Sequence, residues 1–394
     1  MAHIYILGKE LILHSLYRLT MRIYFAIVFL VLVSIPYQSK AQEDSTQINF
    51  SNFRRNTKLS GLVQFRYTYS TTDSVDVGGN ACSDKGVSNS FSLKRVRVML
   101  RTDINDHLDA NVMINLADFS GNPQAKVLEN AFIRYRFSHA LNVQMGQFRP
   151  FFGAEDIYPV DVIKSLDYSN QYYLFSTSGW QGFQLGITIY GDLKPAKVPL
   201  RYYVGVYNGN NRNQAMDNDN GKNFYARLES ECFRHFTVGI NGAVAALEGE
   251  SASAVGIDAA VLVPVSDRLK LDLSGEYKQG ANITAFRLAD ISARHPLNHY
   301  QNRGFYLFPN LRYEYKHPRL RSLELSSRYE YLDENYRISR NQRQTLTPML
   351  SLEFTDDYFA RLQVGYTMEI FDHSTTAIPK NKYNIAVAQM QVRF

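Results

Sequence analysis

Cysteine, tryptophan and long apolar runs are what this 394-residue chain has least of. With only Cys82 and Cys232, it is no disulfide-stapled scaffold. The strand order argued below puts the two at opposite ends of their strands, so no bond between them is expected. Past the N-terminal segment no stretch approaches the roughly 18 uninterrupted apolar residues that a membrane helix needs. Charge is nearly balanced, which excludes nucleic acid as an obvious partner. Catalysis and cofactors find little support either. The nine histidines are scattered, and His295 and His299 share a loop without a nucleophile or metal spacing beside them. "DNDNG" (217–221) imitates half a calcium loop but carries Leu228 where the closing Glu belongs. No enzyme, cofactor or metal site is expected.

The N-terminus reads as an address. Met21-Arg22 precedes the apolar run Ile23–Val33, and Ser39 and Ala41 place small residues three and one positions before Gln42. This is the pattern of a cleaved secretory signal spanning 1–41. Residues 1–20 read as an over-called start or an extended n-region. Removal of 1–41 leaves 39 basic against 36 acidic residues, followed by a short periplasmic segment, 42–57.

What the chain has in plenty is Tyr (27), Phe (24) and Gly (23), which favours strands and turns. From Lys58 the dominant period is two. Leu59, Val63, Phe65 and Tyr67 alternate with Ser60, Gln64, Arg66 and Thr68; Ala131, Ile133 and Tyr135 alternate with Arg134 and Arg136. Such dyads mean sheet with one apolar and one polar face. Sixteen strands are read, over 58–70, 91–103, 107–118, 128–138, 140–149, 179–190, 198–208, 222–231, 234–246, 253–264, 268–279, 302–316, 320–332, 343–354, 357–370 and 381–394.

Their connections mostly alternate short and long. "INDH", "SHA", "CFR", "PVSD", "KHPR" and "TDD" are short, while 71–90, 119–127, 150–178, 209–221, 280–301, 333–342 and 371–380 are long; a modest loop falls near 247–252. A soluble sandwich has no reason to sort its loops by parity. A closed antiparallel up-and-down transmembrane β-barrel over 58–394, with small turns at one end and large loops at the other, does. The closing "NIAVAQMQVRF" ends on Phe394, a terminal aromatic of the kind that barrel-assembly machinery reads. Tyr67, Tyr69, Tyr202, Tyr313, Tyr315, Tyr329, Tyr331, Tyr358 and Tyr366 fall at strand ends on the outward parity, where a girdle meets lipid headgroups.

The order of several segments resembles the phosphate-selective porin O and P family. "LKRVRVML" (93–100), "ENAFIRYRF" (129–137), "VQMGQFRPFFGAED" (143–156), "GFQLGITIYG" (182–191), "RYYVGVYNGN" (201–210), "RGFYLFPNLRYEY" (303–315), "ELSSRYEYLDEN" (324–335) and "QVRF" (391–394) follow that family's sequence of motifs. The resemblance implies a sixteen-stranded, trimeric porin in the Gram-negative outer membrane, embedded in lipid and lipopolysaccharide, whose third external loop folds into the lumen. It also implies passage of small anions such as phosphate. Loop 71–90 holds one lysine, Lys85, and loop 209–221 sets Arg212 beside Asp217 and Asp219. These loops form no lysine-rich funnel.

If lipid lies against Val96, Val98 and Ile133, then Arg66, Arg95, Arg97, Arg101, Arg134 and Arg136 face the lumen, with Arg149 just beyond. Two residues along a strand are about 6.8 Å apart, within the ~8 Å screening length. The guanidiniums therefore overlap as a basic wall that attracts anions; the alternative is that each pairs with an inward acid such as Asp109 or with a loop carboxylate. Loop 150–178, the constriction loop that the resemblance implies, carries Glu155, Asp156, Asp161 and Asp167 against Lys164. Facing the wall, it sets up a transverse field that weakens pure anion selectivity. An anion channel is thus the first reading, with a general diffusion porin and a non-conducting structural or adhesin barrel as alternatives.

Overall fold

The computed structural model describes residues 56–394, apart from 74, 79–85, 120–125, 194–197, 215, 218–219 and 375–380. The expected signal segment 1–41, most of 42–57 and Cys82 lie outside the described residues, as does part of "DNDNG". Cys232 is a free, exposed thiol.

Each of the sixteen dyads becomes a strand. In chain order these are β1 (Thr57–Ser70), β2 (Asn89–Asp103), β3 (Leu108–Asn115), β4 (Leu128–Arg136), β5 (Asn142–Phe148), β6 (Gln184–Leu193), β7 (Leu200–Tyr207) and β8 (Asn223–Phe233). The second half holds β9 (Phe236–Leu247), β10 (Glu250–Pro264), β11 (Leu269–Ala281), β12 (Gln301–His317), β13 (Leu320–Asp333), β14 (Gln342–Glu353), β15 (Ala360–Phe371) and β16 (Lys382–Arg393). Every strand pairs with its sequence neighbours, and β1 pairs antiparallel with β16, from Leu62↔Arg393 to Ser70↔Ile385. Gly61 N donates to Phe394 O (2.7 Å) and Phe394 N to Gly61 O (3.1 Å), so the last residue completes the seam. Closure leaves no edge with unpaired backbone groups.

The outer face is apolar and uncovered. Ile133, Met145, Ile187, Val204, Ile240, Ile257, Leu307, Leu350 and Val364 stand exposed around the ring, Ile240 and Ile257 each at 50%. The inner face is the reverse, with Gln64, Arg95, Asp109, Arg227, Asp258, Glu276, Lys278, Glu324, Gln363 and Gln391 all buried. Apolar-out, polar-in is the inversion that lipid imposes.

Three features depart from the sequence reading. β6 begins at Gln184 rather than 179, because Gly179 and Gly182 both take φ of 80° and Trp180 turns inward, its Nε1 donating to Ala281 O at 2.8 Å. The connection near 247–252 is a tight turn. Glu248 (φ 50°) and Gly249 (φ 82°) supply the two left-handed positions that a two-residue hairpin needs. Tyr358 is no girdle residue. It lies in the turn before β15 and points inward, its hydroxyl taking a hydrogen bond from Arg312 Nη1 (3.0 Å).

Candidate functional site

The loop between β5 and β6, residues 149–183, folds into the barrel and is fastened to walls all around it. Asp161 pairs with Arg393 of β16 (2.8 Å), and Lys164 pairs with Asp272 of β11 (2.5 Å). Arg361 and Gln363 of β15 donate to the carbonyls of Ile163 (2.6 Å) and Lys164 (3.0 Å). Leu166 packs with Tyr306, Phe308, Met349 and Val387. The chain then returns through the helix Asn170–Thr177, capped by the Ser169 hydroxyl and held to Glu330 by the Asn170 amide (2.6 Å). Ala243 and Ala245 of β9 and Ala252 and Ala254 of β10 face inward where the dyad called for polar residues, and leave room for Phe152, Phe175 and Trp180.

The arginines do line one side of the lumen, and they are paired. Arg95 Nη2 lies 2.7 Å from Asp167 Oδ1, and Arg66 reaches the same carboxylate at 3.4 Å. Arg97 bridges Glu129 at 2.6 Å. Arg134 (2.9 Å), Arg136 (2.5 Å) and Arg101 (3.9 Å) converge on the fully buried Asp109, with Asp103 beside them. Arg149, at the foot of the loop, bridges no carboxylate among the described residues. It donates to Tyr168 Oη (2.6 Å) and to Glu155 O (3.2 Å), and sits 4.9 Å from the Tyr168 ring and 5.0 Å from the Phe183 ring.

Two charged residues of this side escaped the dyad rule, Lys94 and Glu129. Gln64 pairs with Arg95 and Phe65 with Leu93, so Lys94 is the extra residue of a β-bulge. It turns inward to Asp167 (3.0 Å). A second register shift on β4, where Met113 pairs with Asn130 and Ile114 with Leu128, does the same for Glu129. Bulges re-aim side chains in this way. The sequence does carry the signal, since Leu93 and Val96, both lipid-facing, fall on opposite parities.

Burial opposes the charge of Asp167, yet Arg95, Lys94 and Arg66 hold its carboxyl well below the usual range. Asp156 is different. Burial outweighs the attraction of Arg149 and Lys278 and pushes its carboxyl up to about 6. Glu155 is also raised by burial, against Lys278 and Arg328, while Ser169 donates to it through both its amide (2.7 Å) and its hydroxyl (2.5 Å).

Two cavities flank the loop. One, of about 610 Å³, is bounded by Arg97, Arg134, Arg149 and Arg393 with Asp156 and Asp161. The other, of about 460 Å³, is bounded by Glu155, Glu229, Glu231, Asp258 and Asp272 with Lys164 and Arg328. The loop thus separates a basic chamber from an acidic one, and a field runs across the lumen between them. Among the described residues no three His, Cys, Asp or Glu side chains gather as a metal site.

The model of the family described as phosphate-selective porin O and P matches residues 64–255. A search of curated proteins gives no match. Among solved structures, the outer membrane channel DcaP of Acinetobacter baumannii is similar at 15% identity and TM-score 0.55, covering 86% of this chain and 97% of its own. The anion-selective porin from Comamonas acidovorans matches at 10% identity and TM-score 0.57, over 86% and 99%. OmpT of Vibrio cholerae in its trimer form matches at 10% identity and TM-score 0.53, again over 86% and 99%. At such identities these structures speak for the fold. The closed sixteen-strand barrel, the loop folded into it and the family match over 64–255 together identify a porin of the Gram-negative outer membrane, similar over that span to the phosphate-selective porin O and P family.

Proposed function

We propose that the barrel conducts small anions passively, without catalysis, along the wall formed by β1, β2, β4 and the foot of the constriction loop. The observation that carries this reading is a charge excess. Seven cations, Arg66, Lys94, Arg95, Arg97, Arg101, Arg134 and Arg136, share four carboxylates, Asp103, Asp109, Glu129 and Asp167, and Arg149 adds an eighth cation that bridges none. Pairing therefore lowers the wall's potential without cancelling it. A pore lined by net positive charge concentrates anions and admits them faster. The anion selectivity of the Comamonas porin and the trimer form of OmpT support the same reading for this chain, and a homotrimer released from its signal after Ala41 is the form proposed.

The acidic chamber favours a second reading, a general diffusion porin in which cations travel beside anions. Planar bilayers holding the purified protein separate the two. A reversal potential of anion sign in a potassium chloride gradient, with chloride current reduced by added phosphate, is the expected result. A cation-signed potential overturns the anion reading, and absence of conductance returns the protein to a structural barrel.

A further inference from the structure

The larger cavity holds more than arginines. Part of its wall is aromatic: the Phe151 ring stacks on Tyr203 (4.7 Å, 27°), and Tyr203 stacks on Tyr190 (5.7 Å, 19°). All three rings line the same open space as Arg149, Arg97 and Arg134, and Arg134 Nη1 reaches the Tyr190 hydroxyl at 3.4 Å. Phe151 takes a φ of 62°, a left-handed backbone that bulky side chains rarely adopt. Such strain persists only where its surroundings hold it in place, and it gathers at binding sites. Beside it, Arg149 is 9% exposed and bridges no carboxylate among the described residues. Its guanidinium is fixed by Tyr168 and by the Glu155 carbonyl rather than by a counter-charge.

Chloride and phosphate gain nothing from a stacked aromatic wall, and a hydrated inorganic ion loses water against it. A flat ring bearing a carboxylate gains on both sides, since the ring adds to the Phe151–Tyr203 stack and the carboxylate meets guanidinium donors that match its plane. A volume of about 610 Å³ lies in the range of small-molecule pockets, roughly 300–1,000 Å³. We propose that this cavity is a selective subsite for single-ring aromatic carboxylates. The proposal rests on the anion-conducting reading and narrows its substrate class.

The test uses the full mature barrel with benzoate, cyclohexanecarboxylate, acetate and phosphate as probes. Calorimetry in detergent measures binding independently of conduction, and bilayer recordings measure block of the chloride current. Benzoate is expected to bind and block at concentrations about tenfold lower than acetate or phosphate, and to outcompete cyclohexanecarboxylate. Phe151→Leu with Tyr203→Leu should bring the benzoate-to-acetate ratio close to one, whereas Arg149→Gln should weaken benzoate and acetate together. Heat-dependent gel mobility identifies the variants that fold. Equal affinity for benzoate and acetate, equal affinity for benzoate and the saturated ring, or a ratio unmoved in the folded aromatic variant overturns the subsite. Benzoate binding in a barrel whose reversal potential proves cation-signed leaves the subsite standing and removes the anion-pore reading instead.

Discussion

Lys94 Nζ lies 3.0 Å from Asp167 Oδ2, although strict alternation along β2 would have turned that lysine into lipid. The bulge at Lys94 makes Asp167 the meeting point of three cations, Arg66, Lys94 and Arg95, and so the anchor of the loop's far end. Removing one partner of a buried pair costs about 3–5 kcal/mol because the remaining charge is left uncompensated. Asp167→Asn is therefore expected to loosen the loop and to bare three cations toward the pore. Reversal potentials should move toward anions, and limited proteolysis should cut within 150–178. An unmoved potential in the folded variant would place the selectivity elsewhere.

Charge reversal on the wall has a different consequence from the one that an open, watery lumen suggests. Arg95 and Arg97 are buried and held by Asp167 and Glu129. Glu at both positions would set carboxylates against carboxylates and impair assembly. Neutral Gln at both should preserve the barrel and shift the reversal potential toward cations, read in the same potassium chloride gradient.

The lipid face offers the opposite contrast. Ile257 stands mid-strand on β10, outward and 50% exposed, while its neighbour Asp258 points in to Arg227 (2.5 Å). Ile257→Arg near the bilayer midplane should cost roughly 2–4 kcal/mol. The folded band on an unboiled gel should weaken relative to wild type. A normal yield would argue that this face meets protein instead of lipid.

The barrel was legible because lipid enforces a period of two on every strand, and because loops sort by side. Sixteen dyads and the Phe394 ending were enough to read it. The site was half legible. Parity placed Arg95, Arg97, Arg101, Arg134 and Arg136 in the lumen, yet it could not reveal their partners, because Asp109, Glu129 and Asp167 reach them across strands or from a folded loop. Lys94 and Glu129 escaped because a bulge breaks parity for one residue. The inward alanines at 243–254 escaped for another reason: they pack against Trp180 and Phe175, which are close only after the loop has folded inside.

Gly146 tests the fit of the strand that launches the loop. It takes a φ of 128°, and a Cβ placed there would lie 2.2 Å from Ala131 O and 2.7 Å from the Phe132 Cα. Both obstacles are backbone and cannot swing aside. Gly146→Ala should destabilise the β4–β5 pairing by about 1–3 kcal/mol. The expected readout is a lower temperature at which the gel mobility changes, with altered conductance because Phe151 and the loop begin just beyond.

Acid should tune the same chamber through Asp156. Its carboxyl sits near pKa about 6 because burial outweighs Arg149 and Lys278, and the Phe152 and Gly182 amides complete its surroundings. The native pKa lies above the unfolded one of about 3.9, so the folded state binds the extra proton between roughly pH 4 and 6. Its ionised form is the disfavoured one, and folding gains as pH falls through that window. Within the pore, protonation removes one negative charge from the basic chamber. Anion preference should therefore rise between pH 7 and pH 5. Asp167, held well below the usual range by Arg95, Lys94 and Arg66, stays ionised throughout. Asp156→Asn should show the low-pH selectivity at pH 7 and lose most of the dependence. A variant that titrates like wild type would assign the proton to another group, with Glu155 the next to examine.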